Sequence, residues 1–278
     1  MKHKTPLKYH AKKKHFWFDL SLVVVLWCLV YFVPYSQTVF KVIAAVATLE
    51  LIAFFSFHLL NQNSGIIIQG FLGGLVSSTA TFIKFSSPKK SKVYNHIQSS
   101  LGLLSATAAM LFGCCFISIN FLRTSQYKLM TPFLLQLLVI FIYGSILFKR
   151  TEKLPSKIVD TKFDIEDPVI WKNVFKLSLF IIALIYSIRF LNHSLGLGTN
   201  IALFIMSFFE AHGVLTASLL SEQKSEPILL QMLLILTGET MSKWILLYRA
   251  KNIPVFKHVG ITLLICLSVS WLSYFFLK

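Results

Sequence analysis

The sequence predicts an all-α, polytopic integral membrane protein. Of its 278 residues, 55% are hydrophobic and only 14% are charged, and the mean hydropathy is +0.70. Soluble domains carry roughly 25% charged residues, so a soluble fold of this composition would lack polar groups for its surface. The net charge of +16 comes from basic residues that punctuate long apolar runs, which makes the lipid bilayer their expected partner. We therefore exclude a soluble enzyme and a nucleic-acid-binding protein.

Long apolar segments divide the chain. A helix needs roughly 20 apolar residues to cross a bilayer. Nine segments qualify: 16–33, 39–60, 65–85, 99–122, 130–148, 174–191, 197–220, 228–248 and 259–277. Lysines precede the first one and no small-x-small cleavage site follows it, so we expect an uncleaved first span. The chain then consists of a basic cytoplasmic tail, residues 1–15, and a single membrane domain, residues 16–278.

The segment order indicates a two-fold internal repeat. The stretch 149–173 mixes basic and acidic residues and separates two halves, about 16–148 and 174–250. Leu60-Asn61 before the third segment is echoed by Leu191-Asn192 before the seventh. Segments one to four then correspond to five to eight, and the ninth is extra.

The distribution of Lys and Arg predicts the topology. If all nine segments cross with the amino terminus inside, the inner side holds 12 Lys and Arg and the outer side 14, against the positive-inside rule. If the third and seventh segments are re-entrant, the counts become 20 inside and 6 outside. Each half then crosses three times, so the halves are inverted, as in many secondary transporters. Nine ordinary helices with a weak charge bias remain the alternative.

The third segment carries the first candidate site, in the run GFLGGLVSSTATF at 70–82. Glycine is costly inside a helix, while Ser and Thr compete for backbone hydrogen bonds. In a membrane such a run either packs helices closely or unwinds to expose backbone dipoles to a cavity. The oxygen-bearing candidates are Ser77, Ser78, Thr79 and Thr81.

The seventh segment carries the second candidate site. Glu210 and His212 lie in the middle of an apolar run, followed by Thr216. Residues two apart face away from each other on a helix, so both reach one site only if the backbone is irregular, which Gly213 would permit. An intramembrane carboxylate is expensive and indicates function, although a structural Glu-His hydrogen bond is the alternative.

Further charged residues lie inside spans. Glu239 and Lys243, four apart in the eighth segment, share a helical face and can neutralise each other, either structurally or as a gating ion pair. Glu50 lies deep in the second segment. The four cysteines fall in apolar runs without metal or disulfide spacing, and we interpret them as core residues. We expect no cofactor, and the identity of any bound metal stays open.

At these motifs the chain resembles the polytopic membrane domain that often follows an MgtC/SapB domain in prokaryotic proteins, domain-of-unknown-function family 4010. The resemblance rests on Gly-Gly-x-x-Ser-Ser-Thr-Ala at 73–80, the basic segment 84–92, and two later spans. The family has two acidic residues separated by one, here Glu210 and His212, and an Asn four before a Lys, here Glu239. The resemblance implies that the two positions share a buried site of constant charge, in one network of Glu210, His212, Glu239 and Lys243. No MgtC-like stretch precedes the first segment, so we expect any such partner to be a separate chain.

We expect a bacterial inner-membrane protein with a role in ion transport or homeostasis, driven by a cation or coupled to protons. Ser77, Ser78 and Thr79 would supply oxygens and Glu210 charge near the midplane, which suits an inorganic cation. The alternative is a non-transporting regulator or scaffold that binds another membrane protein or a second copy through small-residue faces. We expect no enzymatic activity, because no nucleophile is paired with a base.

Overall fold

The computed structural model describes residues 7–32, 65–86, 95–122, 124–151, 199–220 and 228–277, with isolated positions between 43 and 51 and between 179 and 190. Every regular element in these parts is helical, in agreement with the predicted all-α class. The α-helices are α1 (Leu7–Phe32), α2 (Ile66–Ser86), α3 (His96–Phe121), α4 (Thr131–Thr151), α5 (Thr199–Ser207), α6 (Ala211–Leu220), α7 (Ile228–Arg249), α8 (Ile253–Val255) and α9 (Ile261–Leu277). A 3-10 helix, Thr124–Met130, precedes α4, and a π-helix, Phe256–Gly260, joins α8 to α9.

Four helices in the described parts are long and apolar enough to cross a membrane: His96–Phe121, Gln126–Thr151, Ile228–Arg249 and Ile253–Leu277. They correspond to the predicted fourth, fifth, eighth and ninth segments. Helix α1 begins at Leu7 and therefore includes part of the predicted basic tail. Most of the second and sixth predicted segments lies outside the described residues.

Helix α3 lies at the centre of the described bundle, and its small residues let α2 approach closely. A Cβ at Gly70 would collide with the backbone of Gly102, and a Cβ at Gly74 would lie 2.5 Å from Ala106 Cα. The Ser105 hydroxyl donates a hydrogen bond to the carbonyl oxygen of Ile67, at 2.6 Å. The small residues of both helices are therefore used for packing inside the protein.

Helix α2 is a hairpin of two half-helices. Ser77 has extended backbone angles, φ −161° and ψ 105°, in the middle of the helix. A Cβ on Gly102 would contact both Ile66 and Phe85, the two ends of α2, whereas a straight helix would separate them by about 28 Å. A Cβ at Gly73 would likewise lie 2.7 Å from Thr81 Oγ1. The segment thus turns back on itself at Ser77, with both ends beside the start of α3.

The predicted seventh segment is also interrupted. Helix α5 ends at Ser207 and α6 begins at Ala211, with turn and irregular backbone at 208–210. The predicted irregularity therefore exists and includes Glu210, whereas His212 and Gly213 are already helical. The third and seventh segments are therefore both interrupted helices in the described structure.

The last helix contains the π-helical turn just after Pro254. Trp244 Nε1 donates a hydrogen bond to the carbonyl oxygen of Gly260 at 3.0 Å, which satisfies an acceptor that the irregular turn presents. Further along, Gln136 Nε2 donates to Ser270 Oγ at 2.9 Å and fixes α4 against α9. The first contact joins α7 to the π-helical turn, and the second joins α4 to α9.

Candidate ion site at the broken helices

The tip of the α2 hairpin is built by Ser77. Its hydroxyl oxygen accepts a hydrogen bond from the backbone N–H of Ala80 at 3.3 Å, so Ser77 is the N-cap of the second half-helix. Serine is a preferred residue at that position because its side chain satisfies a free N–H group. The first half, 66–76, points its last carbonyl groups toward the same tip. The hairpin therefore presents backbone dipoles and hydroxyls together.

Ser78 links the tip to α7. Its hydroxyl donates a hydrogen bond to Glu239 Oε1 at 3.1 Å. Glu239 lies near the middle of the 22-residue α7, and the Ser-Ser-Thr run therefore meets a carboxylate deep in the bundle. Thr79 lies half-buried in the following turn, and Thr81 is buried against Gly73.

Glu239 and Lys243 form the ion pair that their spacing predicts. Lys243 Nζ lies 3.0 Å from Glu239 Oε1, and the side chains are only 1% and 2% exposed. The ammonium is not oriented for a hydrogen bond, and Glu239 Oε2 has no hydrogen-bond partner among the described residues. The Phe82 ring lies 5.3 Å from Nζ and supplies a cation–π contact. Within the part of the chain that the structure describes, only one oxygen of this buried carboxylate is paired.

Glu210 and His212 form a second cluster at the interruption before α6. Glu210 Oε1 accepts a hydrogen bond from the backbone N–H of His212 at 3.1 Å, so the carboxylate caps α6. Its negative charge also interacts favourably with the partial positive charge at the start of that helix. His212 Nδ1 lies 3.3 Å from the same oxygen. In both broken segments an oxygen-bearing side chain at the break therefore caps the half-helix that follows.

His212 is held in place by α3. Its Nε2 lies 3.0 Å from the carbonyl oxygen of Met110, and a Cβ at Gly113 would lie 2.5 Å from that nitrogen. A carbonyl can only accept, so Nε2 carries a proton. Nδ1, which faces Glu210, then carries a proton only in the imidazolium form. The pair therefore has one position, between Nδ1 and the carboxylate, for an exchangeable proton.

The four residues of the expected network form two pairs. Among the described residues no recorded contact joins Glu210 or His212 to Glu239 or Lys243. The run from Ser77 to Thr81 meets α7 through the hydrogen bond of Ser78 to Glu239. Helices α3 and α7 both lie against the two broken segments.

Gly238 is the contact between α7 and the end of α5. A Cβ there would collide with the Ser207 hydroxyl and the carbonyl oxygen of Phe204. Gly238 directly precedes Glu239, so both interruptions lie beside the same turn of α7. Thr216, in α6, is buried, and its hydroxyl has no partner among the described residues. Glu50 falls outside the described residues.

Phe82, Gly238 and the Met110 carbonyl were not anticipated from the sequence. Phe82 follows Ser78 by four residues, which places it on the same helical face and could have indicated it. Gly238 lies inside an otherwise strong helix and directly before an acidic residue, a pattern that could have indicated a close helix contact there. A backbone carbonyl carries no residue-type signal, so the partner of His212 could not be found.

The hairpin tip brings a hydroxyl oxygen and a carboxylate oxygen together. Within the described ranges, no three His, Cys, Asp or Glu residues lie close enough together to hold a metal ion. The hydroxyl and carboxylate oxygens at Ser78 and Glu239 are instead the ligand type that hard cations prefer. The described clusters therefore suit cations that bind through hydroxyls, carbonyls and one carboxylate.

The fold and site define a helical protein with four helices long enough to span a membrane and two interrupted helices whose breaks flank a buried ion pair. The chain belongs to the family described as Domain of unknown function (DUF4010), which it matches over residues 44–250. That range includes both interruptions and the ion pair, and it confirms the resemblance inferred from the motifs. No curated protein and no solved structure matches the chain.

Proposed function

We propose that this protein is a bacterial inner-membrane protein that transports an inorganic cation, bound at the tip of the α2 hairpin. The observation that carries the proposal is Glu239 Oε2, a buried carboxylate oxygen without a hydrogen-bond partner in the described structure. The other oxygen of the same carboxylate accepts a hydrogen bond from Ser78, the residue directly after the helix break. A buried acceptor left bare is costly, and such a group indicates a ligand position.

The depth of the two clusters supports this function. Glu239 is near the middle of α7, and Met110, which contacts His212, is near the middle of α3. Both helices are long enough to cross a bilayer, and if they do, both clusters would lie near its midplane. Charged residues at that depth are expensive and typically line ion pathways. Interrupted helices at the midplane are the usual cation sites of secondary transporters.

The hairpin supports a re-entrant third segment. The halves 66–76 and 78–86 are about 16 Å and 14 Å long, too short to cross a hydrocarbon core of about 30 Å. Helices α5 and α6, of 9 and 10 residues, are equally short, and we extend the re-entrant arrangement to the seventh segment. The basic stretch 84–92 then lies on the cytoplasmic side with the amino terminus, and the two halves of the chain are inverted repeats.

The cation would bind between the hairpin tip and α7. Ser78, the carboxylate of Glu239 and the carbonyl groups that end the first half-helix supply its oxygen ligands. The ammonium of Lys243 already occupies one side of the carboxylate, at Oε1. An arriving cation therefore competes with Lys243 for Glu239, and weak binding of this kind allows release as well as entry.

The second cluster would carry the coupling proton. The Glu210 side chain is 36% exposed and that of His212 is 14% exposed. A carboxylate this exposed at mid-depth needs water rather than lipid beside it. The exchangeable proton between His212 Nδ1 and Glu210 would then have access to that water. Gly238, next to Glu239, packs against the end of α5 just before this cluster.

The experiment is cation flux into liposomes containing the purified protein, tested with Na⁺, K⁺ and Mg²⁺. We expect flux above that of empty liposomes for one of them, a loss in Glu239→Gln, and a reduction in Ser78→Ala. Ser145→Ala is the matched control, because that exposed hydroxyl donates only to the carbonyl of Phe141 on its own helix. Flux no higher than in empty liposomes for all three cations would contradict transport.

A non-transporting regulator remains the rival proposal. It requires small-residue faces that are free to bind another membrane protein. In the described structure Gly70 and Gly74 pack against α3, and Gly113 packs against His212. These faces are used internally, which favours transport over the regulator.

A further inference from the structure

A groove of about 810 Å³ runs along the outside of the bundle between α3 and α4. Leu101, Leu104 and Ala108 of α3 lie in its lining, and Phe141 and Phe148 of α4 are exposed along it. Its volume lies within the range of small-molecule sites, roughly 300 to 1,000 Å³. The groove is open along its length, so an elongated apolar ligand fits it.

The two hydroxyls in the groove are already satisfied. Ser105 donates to the carbonyl oxygen of Ile67 at 2.6 Å, and Ser145 donates to that of Phe141 at 2.8 Å. Neither hydroxyl is left to donate to a ligand. The middle of the groove therefore favours hydrocarbon.

The groove is basic at one end. Lys149 lines it there and is exposed, and Arg150 follows directly. On α4 the lining begins at Leu134, and Lys149 lies fifteen positions further along, a distance of about 22 Å on the helix. This length is enough to span one leaflet of the hydrocarbon core, about 15 Å. The basic end thus lies where lipid phosphates lie if α4 crosses the bilayer.

We propose that this groove binds one acyl chain of an anionic phospholipid, whose phosphate binds Lys149. The ligand supplies hydrocarbon where the groove is apolar and negative charge where it is basic. The apolar segments 39–60 and 174–191 of the same chain carry Lys41 in the first, and Lys176 and Arg189 in the second. If one of these segments occupied the groove, its basic terminus would add positive charge beside Lys149. An anionic lipid is therefore a better electrostatic match for the groove than either segment.

Gly144 provides a direct way to block the groove. It lines the groove, and a Cβ added there meets no other atom within 4 Å. Gly144→Phe therefore introduces a large side chain into the groove from a position where the Cβ has open space. Ile146→Phe is the matched control, because Ile146 is exposed on the same helix outside the groove lining.

The test is native mass spectrometry of the purified protein titrated with phosphatidylglycerol or with phosphatidylcholine of identical chains. We expect one phosphatidylglycerol to remain bound in preference to phosphatidylcholine. Gly144→Phe should lose this bound lipid and Ile146→Phe should keep it. Lys149→Gln should weaken phosphatidylglycerol binding about fivefold and remove the preference, whereas Lys128→Gln, at the other end of α4, should not.

Two results would overturn the proposal. Wild-type retention of both lipids in equal amounts would remove the role of Lys149, and unchanged phosphatidylglycerol binding by Gly144→Phe would place the lipid elsewhere. A wild-type dimer that Gly144→Phe separates would assign the groove to a second copy of the chain, which also contradicts lipid binding. Thermal unfolding of each variant shows whether it is folded.

Discussion

Removing one partner of the Glu239–Lys243 pair should cost far more stability than removing both. The side chains are at most 2% exposed, and Nζ and Oε1 are 3.0 Å apart. Removing one partner of such a pair typically costs about 3 to 5 kcal/mol, because the other charge stays buried, whereas replacing both can be nearly neutral. At roughly 2 to 4 °C per kcal/mol for a protein of this size, Lys243→Met should lower Tm by about 6 to 20 °C.

The assay is thermal unfolding of the detergent-solubilised protein in a double-mutant cycle of Lys243→Met and Glu239→Gln. We expect the double variant to be more stable than Lys243→Met alone. Lys128→Met, which removes an exposed lysine, should change stability by less than about 0.5 kcal/mol. Additive losses in the cycle would refute the reasoning, since they would mean that the two charges do not interact.

Three further predictions concern the packing, the topology and the second cluster. Gly70→Ala should destabilise the protein by about 1 to 3 kcal/mol, because its Cβ collides with α3, whereas Gly144→Ala should be tolerated; equal Tm values would contradict the close packing. Single cysteines at His10 and Lys90, in a background without the native cysteines, should react with a membrane-impermeant reagent from the same side, and labelling from opposite sides would remove the re-entrant topology. Glu210→Ala should cost about 0.5 to 2 kcal/mol through loss of the cap on α6, measured by thermal unfolding, and an unchanged Tm would count against the cap.

The third segment shows how far sequence patterns reach. The run at 70–82 favoured either close packing or an unwound backbone, and the structure has both. Gly70 and Gly74 pack against α3, while Ser77 interrupts the helix three residues later. The composition indicated that the helix could be interrupted in this run, because glycine and serine weaken a helix. The choice of Ser77 as the turning point depends on contacts with α3, which composition does not show.

The charged residues show the limit more clearly. The spacing of Glu239 and Lys243 along one helix was enough to predict their ion pair. The hydrogen bond from Ser78 joins residues 161 apart in the chain, and only the packing of α2 on α7 brings them together. The partners of His212 show the same limit: it contacts Glu210 and a backbone carbonyl of α3, and no sequence motif marks that carbonyl.

The central claim is that the bare oxygen of Glu239 belongs to a cation site, and equilibrium binding of radioactive cation to the purified protein tests it most directly. We expect saturable binding of one cation per chain to the wild type and none to Glu239→Gln. Lys243→Met, if it remains folded, should bind the cation more tightly, since the competing ammonium is gone. Binding by Glu239→Gln that equals the wild type would contradict the claim, because the cation would then lie elsewhere.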